Sequence, residues 1–126
     1  MSGPERILAG LRILVVEDEP LIAMELIDNL EDVGAAPFGP VMTVAGALSI
    51  VRSGEPLDAA LLNVNLRGEA SFPVADALIE RGVPFLFVTG NDAFVRERYP
   101  RVPRHPKPAH MPVLIEALGQ LLHEQD

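Results

Sequence analysis

The sequence predicts an α/β fold in which helices cover both faces of one parallel sheet. Three observations predict it. Short apolar runs alternate with segments of helical periodicity, as repeated βα units require. The runs are apolar throughout rather than alternately polar, the mark of strands buried on both faces. Between them stand Gly, Pro and small polar residues at the spacing of short connections.

Arg12 to Val16 is compact and β-branched and reads as the first strand. Pro20 suits the first turn of a helix, where its missing N–H does no harm, and Ile22, Leu26, Leu30 and Val33 then recur at helical spacing up to Gly34. A short second strand around Ala36 to Phe38 is expected to stop at Gly39-Pro40. Val44, Ala47, Leu48 and Val51 mark the second helix, closed by Ser53-Gly54. Ala59 to Leu62 is the third strand, Val74 to Arg81 the third helix and Phe85 to Val88 the fourth strand. Ala93 to Tyr99 allows only a shortened fourth helix. Pro100, Pro103, Pro106, Pro108 and Pro112 crowd the next stretch, so a fifth strand there is short and at a sheet edge, because proline donates no ladder hydrogen bond. Leu114, Leu118 and Leu121 give an amphipathic last helix. Five such units suit a flavodoxin-like (βα)5 doubly wound sheet with strand order 2-1-3-4-5. Residues 1–10 form a short lead and 11–126 one domain.

A chain of 126 residues, 48% of them hydrophobic, holds one domain with an ordinary core. The absence of cysteine excludes disulfides and thiolate chemistry. A net charge of −8 opposes binding to nucleic acid, whose backbone is also anionic. Arg96, Arg98, Arg101, Arg104 and Lys107 read as a solvated stretch, and His105, His110 and His123 lack metal-ligand spacing and read as surface or packing residues. No basic flank precedes a long apolar run, and no run nears the ~20 residues of a membrane helix, so a soluble cytoplasmic protein is expected.

Ligands of open parallel sheets sit beyond the carboxyl ends of the strands. Glu17 and Asp18, Asn63, Thr89 and Lys107 all fall at or just after such ends, so the fold brings them to one edge. An acidic pair, an acceptor position, a hydroxyl and a Lys107-Pro108 pair in this order resemble the receiver domain of two-component response regulators, over Ile13 to Leu122. The resemblance implies that Glu17 and Asp18 hold a divalent cation with the backbone carbonyl of Asn65. Magnesium suits such a set, since it prefers hard oxygens and one or two carboxylates suffice. It implies further that Thr89 bonds a phosphoryl oxygen, that Lys107 pairs with the phosphoryl group and that the peptide to Pro108 is often cis. Pro84 to Asn91 resembles the Phe-Ala-Thr-Gly-Tyr type of stand-alone receiver, with Val88 and Asn91 as departures. Arg104 stands where many receivers carry a switching aromatic, and Ala109 where a phenylalanine is usual. Leu21 and Met24 lie opposite the buried stripe of the first helix, the element that docks the histidine kinase in receivers. Isolated exposed apolar residues are also ordinary.

Asn63 is the exception, because in the family its position is the aspartate that accepts phosphate. Phosphotransfer needs a carboxylate oxygen to attack phosphorus, and an amide is a poor nucleophile. The amide also removes one of three like charges, which repel by about 4 kcal/mol gross per 4 Å contact at an effective dielectric near 20. Lys107 is then free to neutralise part of the remaining pair. The expected protein is stable without metal, binds magnesium weakly and is not switched by phosphate.

The first functional reading is a single-domain receiver of a bacterial phosphorelay, degenerate at its acceptor and not an enzyme. It would bind a histidine kinase or another signalling protein, with no nucleic-acid or membrane partner and with homodimerisation open. An alternative is an ordinary phosphorylatable receiver in which Asn63 is an introduced substitution. An alternative of another class is a flavodoxin-like phosphohydrolase or flavin protein. The first of these enzymes needs the aspartate that Asn63 replaces, and the second a phosphate loop where Glu17-Asp18-Glu19 would repel the ligand.

Overall fold

The computed structural model describes residues 8–89, 93–107 and 110–124. The strands are β1 (Arg12–Val16), β2 (Ala36–Val41), β3 (Ala59–Asn63), β4 (Asn65–Leu66), β5 (Glu69–Ala70), β6 (Phe85–Thr89) and β7 (Arg104–Pro106). The helices are α1 (Pro20–Asp32), α2 (Val44–Arg52), α3 (Phe72–Arg81), α4 (Ala93–Arg98) and α5 (Met111–Glu124). The main sheet is parallel in the order β2-β1-β3-β6-β7, which is 2-1-3-4-5 when its own strands alone are counted. The flavodoxin-like fold predicted from the sequence is the fold observed.

Strand alternation divides the core into two layers. Leu14, Val16, Ala60, Leu62, Phe85 and Phe87 face α2, α3 and the end of α4. Ile13, Val15, Ala59, Leu61, Leu86 and Val88 face α1 and α5. Leu8 is buried in this second layer, and the Gly10 N–H donates to the Gly34 carbonyl at 2.8 Å, so the end of the lead is fastened to the domain. The shortened α4 follows the expectation drawn from Ala93 to Tyr99, and the short edge strand β7 the one drawn from the prolines.

Four boundaries differ from the reading of the sequence. β2 does not stop at Gly39-Pro40 but runs on to Val41. Leu14 pairs with Phe38 and Val16 with Val41, so a bulge absorbs the extra residue, and proline is tolerated because β2 is an edge strand. α3 starts at Phe72, ahead of the expected Val74, with Pro73 in its first turn. β3 and β6 extend to Asn63 and Thr89, bringing both residues to the carboxyl edge of the sheet. The β4–β5 hairpin was not foreseen. Its turn residues Arg67 and Gly68 have φ of 53° and 85°, as the centre of a type I′ turn requires. Gly90, Asn91, Pro108 and Ala109 lie outside the described residues, and with them the expectations attached to the Pro108 peptide, Asn91 and Ala109.

Gly39 has a φ of +131°, and a Cβ there would stand 2.7 Å from the Val15 carbonyl oxygen and 3.0 Å from the Val41 nitrogen. Gly54 has a φ of +84° with open space around it. Gly39→Ala should therefore cost about 2–4 kcal/mol of stability and Gly54→Ala only about 1 kcal/mol. Urea denaturation of the two variants checks this, and equal losses would contradict the close approach at the bulge.

Candidate functional site

β1 ends in the core and delivers Glu17, Asp18 and Glu19 to the carboxyl edge, just ahead of the first turn of α1. Glu17 is 1% exposed, an unusual burial for a carboxylate, and its contacts explain how it is tolerated. Its Oε2 accepts from Asn63 Nδ2 and from the Glu19 N–H, each at 3.1 Å. Its Oε1 has the Lys107 ammonium 3.0 Å away, an ion pair whose angle falls outside hydrogen-bond geometry. Lys107 also donates to Glu19 Oε1 at 3.3 Å. The lysine thus neutralises Glu17 as expected, with Glu19 and not Asp18 as its second partner.

Asp18 accepts from Asn63 Nδ2 through Oδ1 at 3.1 Å and from the Arg67 N–H through Oδ2 at 2.9 Å. The Asn63 amide makes its shortest bond, 2.7 Å, to the carbonyl of Asn65. Its nitrogen therefore faces three oxygens from three residues: the adjacent Glu17 and Asp18, and the Asn65 carbonyl. Around it the backbone is fixed by Ser71, whose hydroxyl donates to the Asn63 carbonyl at 2.6 Å, and by Asn65, whose Oδ1 accepts from the Gly68 N–H at 2.8 Å. The Lys107 N–H donates to the Thr89 carbonyl at 2.9 Å, continuing the β6–β7 ladder into the site, and the Thr89 side chain is buried.

All of Glu17, Asp18, Asn63, Thr89 and Lys107 lie at the sheet edge where the sequence places them, and Asn65 supplies its carbonyl from the first residue of β4. Carboxylate oxygens of Glu17, Asp18 and Glu19 come within 4.8 Å of one another, a set of hard donors suited to a divalent cation. In the present arrangement the donor face of the Asn63 amide points into that set. A cation would need the carboxamide to turn and present its oxygen.

The clasp from Ser71 and the closure by the Arg67 backbone were missed, and neither carries a sequence signal beyond a weak Arg-Gly turn. A third omission is Tyr99, just past α4. It is buried with ring centroids 5.5 Å from both Phe72 and Phe87, and its hydroxyl donates to Asp76 at 2.7 Å. An aromatic thus packs on β6 from α4, while Arg104 sits on β7 opposite Phe87. Leu21 and Met24 are 87% and 52% exposed on α1. A groove of about 640 Å³ between α2 and α3 lies apart from this site, and its Arg81 is engaged by the Val51 and Glu55 carbonyls.

The two acids respond oppositely to the pocket. Burial pushes Glu17 above the usual carboxylate range, and the opposing pull of Lys107 and the Glu19 N–H does not cancel it. Burial acts upward on Asp18 too, but the Arg67 N–H, the neighbouring Glu17 and the Asn63 amide together outweigh it and hold Asp18 below its ordinary value. Asp18 therefore contributes stability above pH 3.8 that is lost on further acidification. Glu17 works the other way: its contribution is present below pH 4.5 and is lost as pH rises through its elevated pKa. The stability difference between Glu17→Gln and the parent protein should shift in favour of the variant as pH rises above 4.5. Denaturation midpoints between pH 4 and 8, on the order of one measurement per half unit, check the sign; the reverse slope would show that Lys107 dominates burial.

No family model matches the sequence, and no curated relative does. Solved structures are similar. SdrG from Sphingomonas melonis Fr1 is 51% identical over 90% of this chain and 97% of its own, with a TM-score of 0.78. The BeF3-activated conformation of SdrG, from Pseudomonas melonis Fr1, is 49% identical over 90% and 98%, with a TM-score of 0.74. A response regulator receiver protein from Sinorhizobium medicae WSM419 shares the fold at 23% identity over 93% and 98%, with a TM-score of 0.83. The response regulator REC domain of PhyR from Erythrobacter litoralis is 25% identical over 91% and 92%, with a TM-score of 0.77.

Proposed function

The chain belongs to the response regulator receiver domains, and we propose that it is a receiver whose acceptor position has become an internal hydrogen-bond donor, so that it signals by binding and not by taking up phosphate. The observation that carries this reading is the engagement of Asn63 Nδ2 by Glu17, Asp18 and the Asn65 carbonyl at 2.7–3.1 Å. The amide supplies partial positive charge among three oxygens, which is the electrostatic service a divalent cation would perform. The acidic pair is then tolerable without metal. Its donors still suit magnesium, at about 2.1 Å per oxygen, but entry requires the carboxamide to turn and break all three contacts. Magnesium binding is accordingly weak.

Phosphate chemistry fails for a separate reason. An acyl phosphate forms when a carboxylate oxygen attacks phosphorus and the leaving group departs. At position 63 the available oxygen belongs to a neutral carboxamide, stabilised by delocalisation of the nitrogen lone pair and a far weaker nucleophile than a carboxylate. Lys107, which would meet a phosphoryl group, is held by Glu17 and Glu19. With no nucleophile at the centre of the pocket, the chain is a binding module and no enzyme.

The partner is a histidine kinase or another signalling protein in the cytoplasm, met through the face of α1 that exposes Leu21 and Met24. Among the described residues no helix is long and apolar enough to cross a membrane.

Acetyl phosphate with magnesium should leave the mass of the protein unchanged, whereas Asn63→Asp should gain one phosphoryl group. A phosphoryl mass on the unaltered chain would end the proposal. Without metal, Asn63→Asp loses the shared donor and adds a third carboxylate, and should be destabilised by about 1–3 kcal/mol. Millimolar magnesium should restore that loss in the variant and leave the parent protein's melting temperature nearly unmoved.

A further inference from the structure

His105 is the middle residue of β7 and is 5% exposed, although nothing in the phosphate-site chemistry uses it. Its Nε2 accepts a hydrogen bond from the backbone N–H of His110 at 3.1 Å, so that nitrogen carries no proton. His110 in turn stands immediately before α5 and accepts the Leu114 N–H with its carbonyl at 2.9 Å, closing the first turn of that helix. A buried imidazole thus serves as the acceptor at the start of a 14-residue helix. Lys107 follows His105 by two residues, just past the end of the same strand.

Each neighbour favours the neutral ring. The positive end of the α5 dipole disfavours a cation there. From the start of α5 the facing titratable group is His110, and β6 presents Val88; of its chain neighbours, Arg104 pairs with Phe87 on the opposite face of the sheet and Lys107 is engaged by Glu17 and Glu19. Burial first, and then His110, lower the proton affinity of the ring. A proton placed on Nε2 would set one donor against another, so the His110 N–H would have to leave.

We propose that His105 is a proton-operated latch: neutral, it fastens the start of α5 to β7 through the His110 N–H, and protonated, it lets that end of the helix go. This goes beyond the binding role proposed above and stands whether or not that role is correct. The sign follows from linkage: the unfolded chain takes up the proton near pH 6.5 while the folded one resists it, so stability is lost as pH falls below 6.5.

The test is an NMR titration from about pH 7.5 to 5 of the protein and of His105→Gln, whose side-chain oxygen can still accept from His110. The His105 ring should stay neutral, with Nε2 unprotonated, down past pH 6.5. The amides of Lys107, His110 and Leu114 should then move together with one midpoint below that value. In His105→Gln these shared shifts should vanish, and the parent's folding constant relative to the variant should fall by up to about tenfold per pH unit. The latch is refuted if the ring titrates at or above 6.5, or if the variant keeps the parent's amide shifts. Should the variant fail to fold, the ring titration in the unaltered protein decides.

Discussion

The side chain of Asn63 joins the acidic end of β1, the end of β3 and the start of the β4–β5 hairpin, and the geometry of the pocket depends on that joint. Two carboxylates and a carbonyl crowd one nitrogen. Without a donor between them, these oxygens would repel one another, and Glu17, fully inside the protein, would bear the largest penalty. A carboxamide meets the need with no ion. It fits because the strand ending at Asn63 aims the side chain across the sheet edge toward β1.

The rest of the pocket is arranged around the same charge balance. Lys107 answers Glu17 from β7, and the Arg67 N–H answers Asp18 from the hairpin turn. These contacts come from segments far apart in sequence, and each depends on an edge element: the two-residue strands of the hairpin and the three-residue β7. The interior strands β3 and β6 are buried along their whole length and form the fixed side of the site. Any motion the domain uses is therefore expected at its edges, where few backbone bonds hold, and not in the central strands.

Much of this architecture was legible because the informative signals are periodic. The strands from Arg12, Ala59 and Phe85 announce themselves as apolar runs, and a parallel sheet carries the residues after them to one edge. What stayed hidden is chemistry that spacing does not encode. Residue order placed Asn63 beside Glu17 and Asp18, but which amide atom meets which oxygen depends on backbone geometry. Gly39-Pro40 reads as a stop, yet a bulged edge strand passes through it. The hairpin escaped notice because its strands are two residues long and Arg67 supplies a positive φ that usually signals glycine or asparagine. Tyr99 was invisible as a packing partner of Phe87 because only the tertiary fold brings α4 against that strand.

The fastening of Leu8 and Gly10 to Gly34 has a practical side. Those residues lie at the amino end of the sheet, where β1 begins, while the carboxylates gather at the other end. Leu8 thus marks the pole of the domain opposite the pocket. A partner protein joined at that pole would sit at the far end of the sheet from the acidic rim.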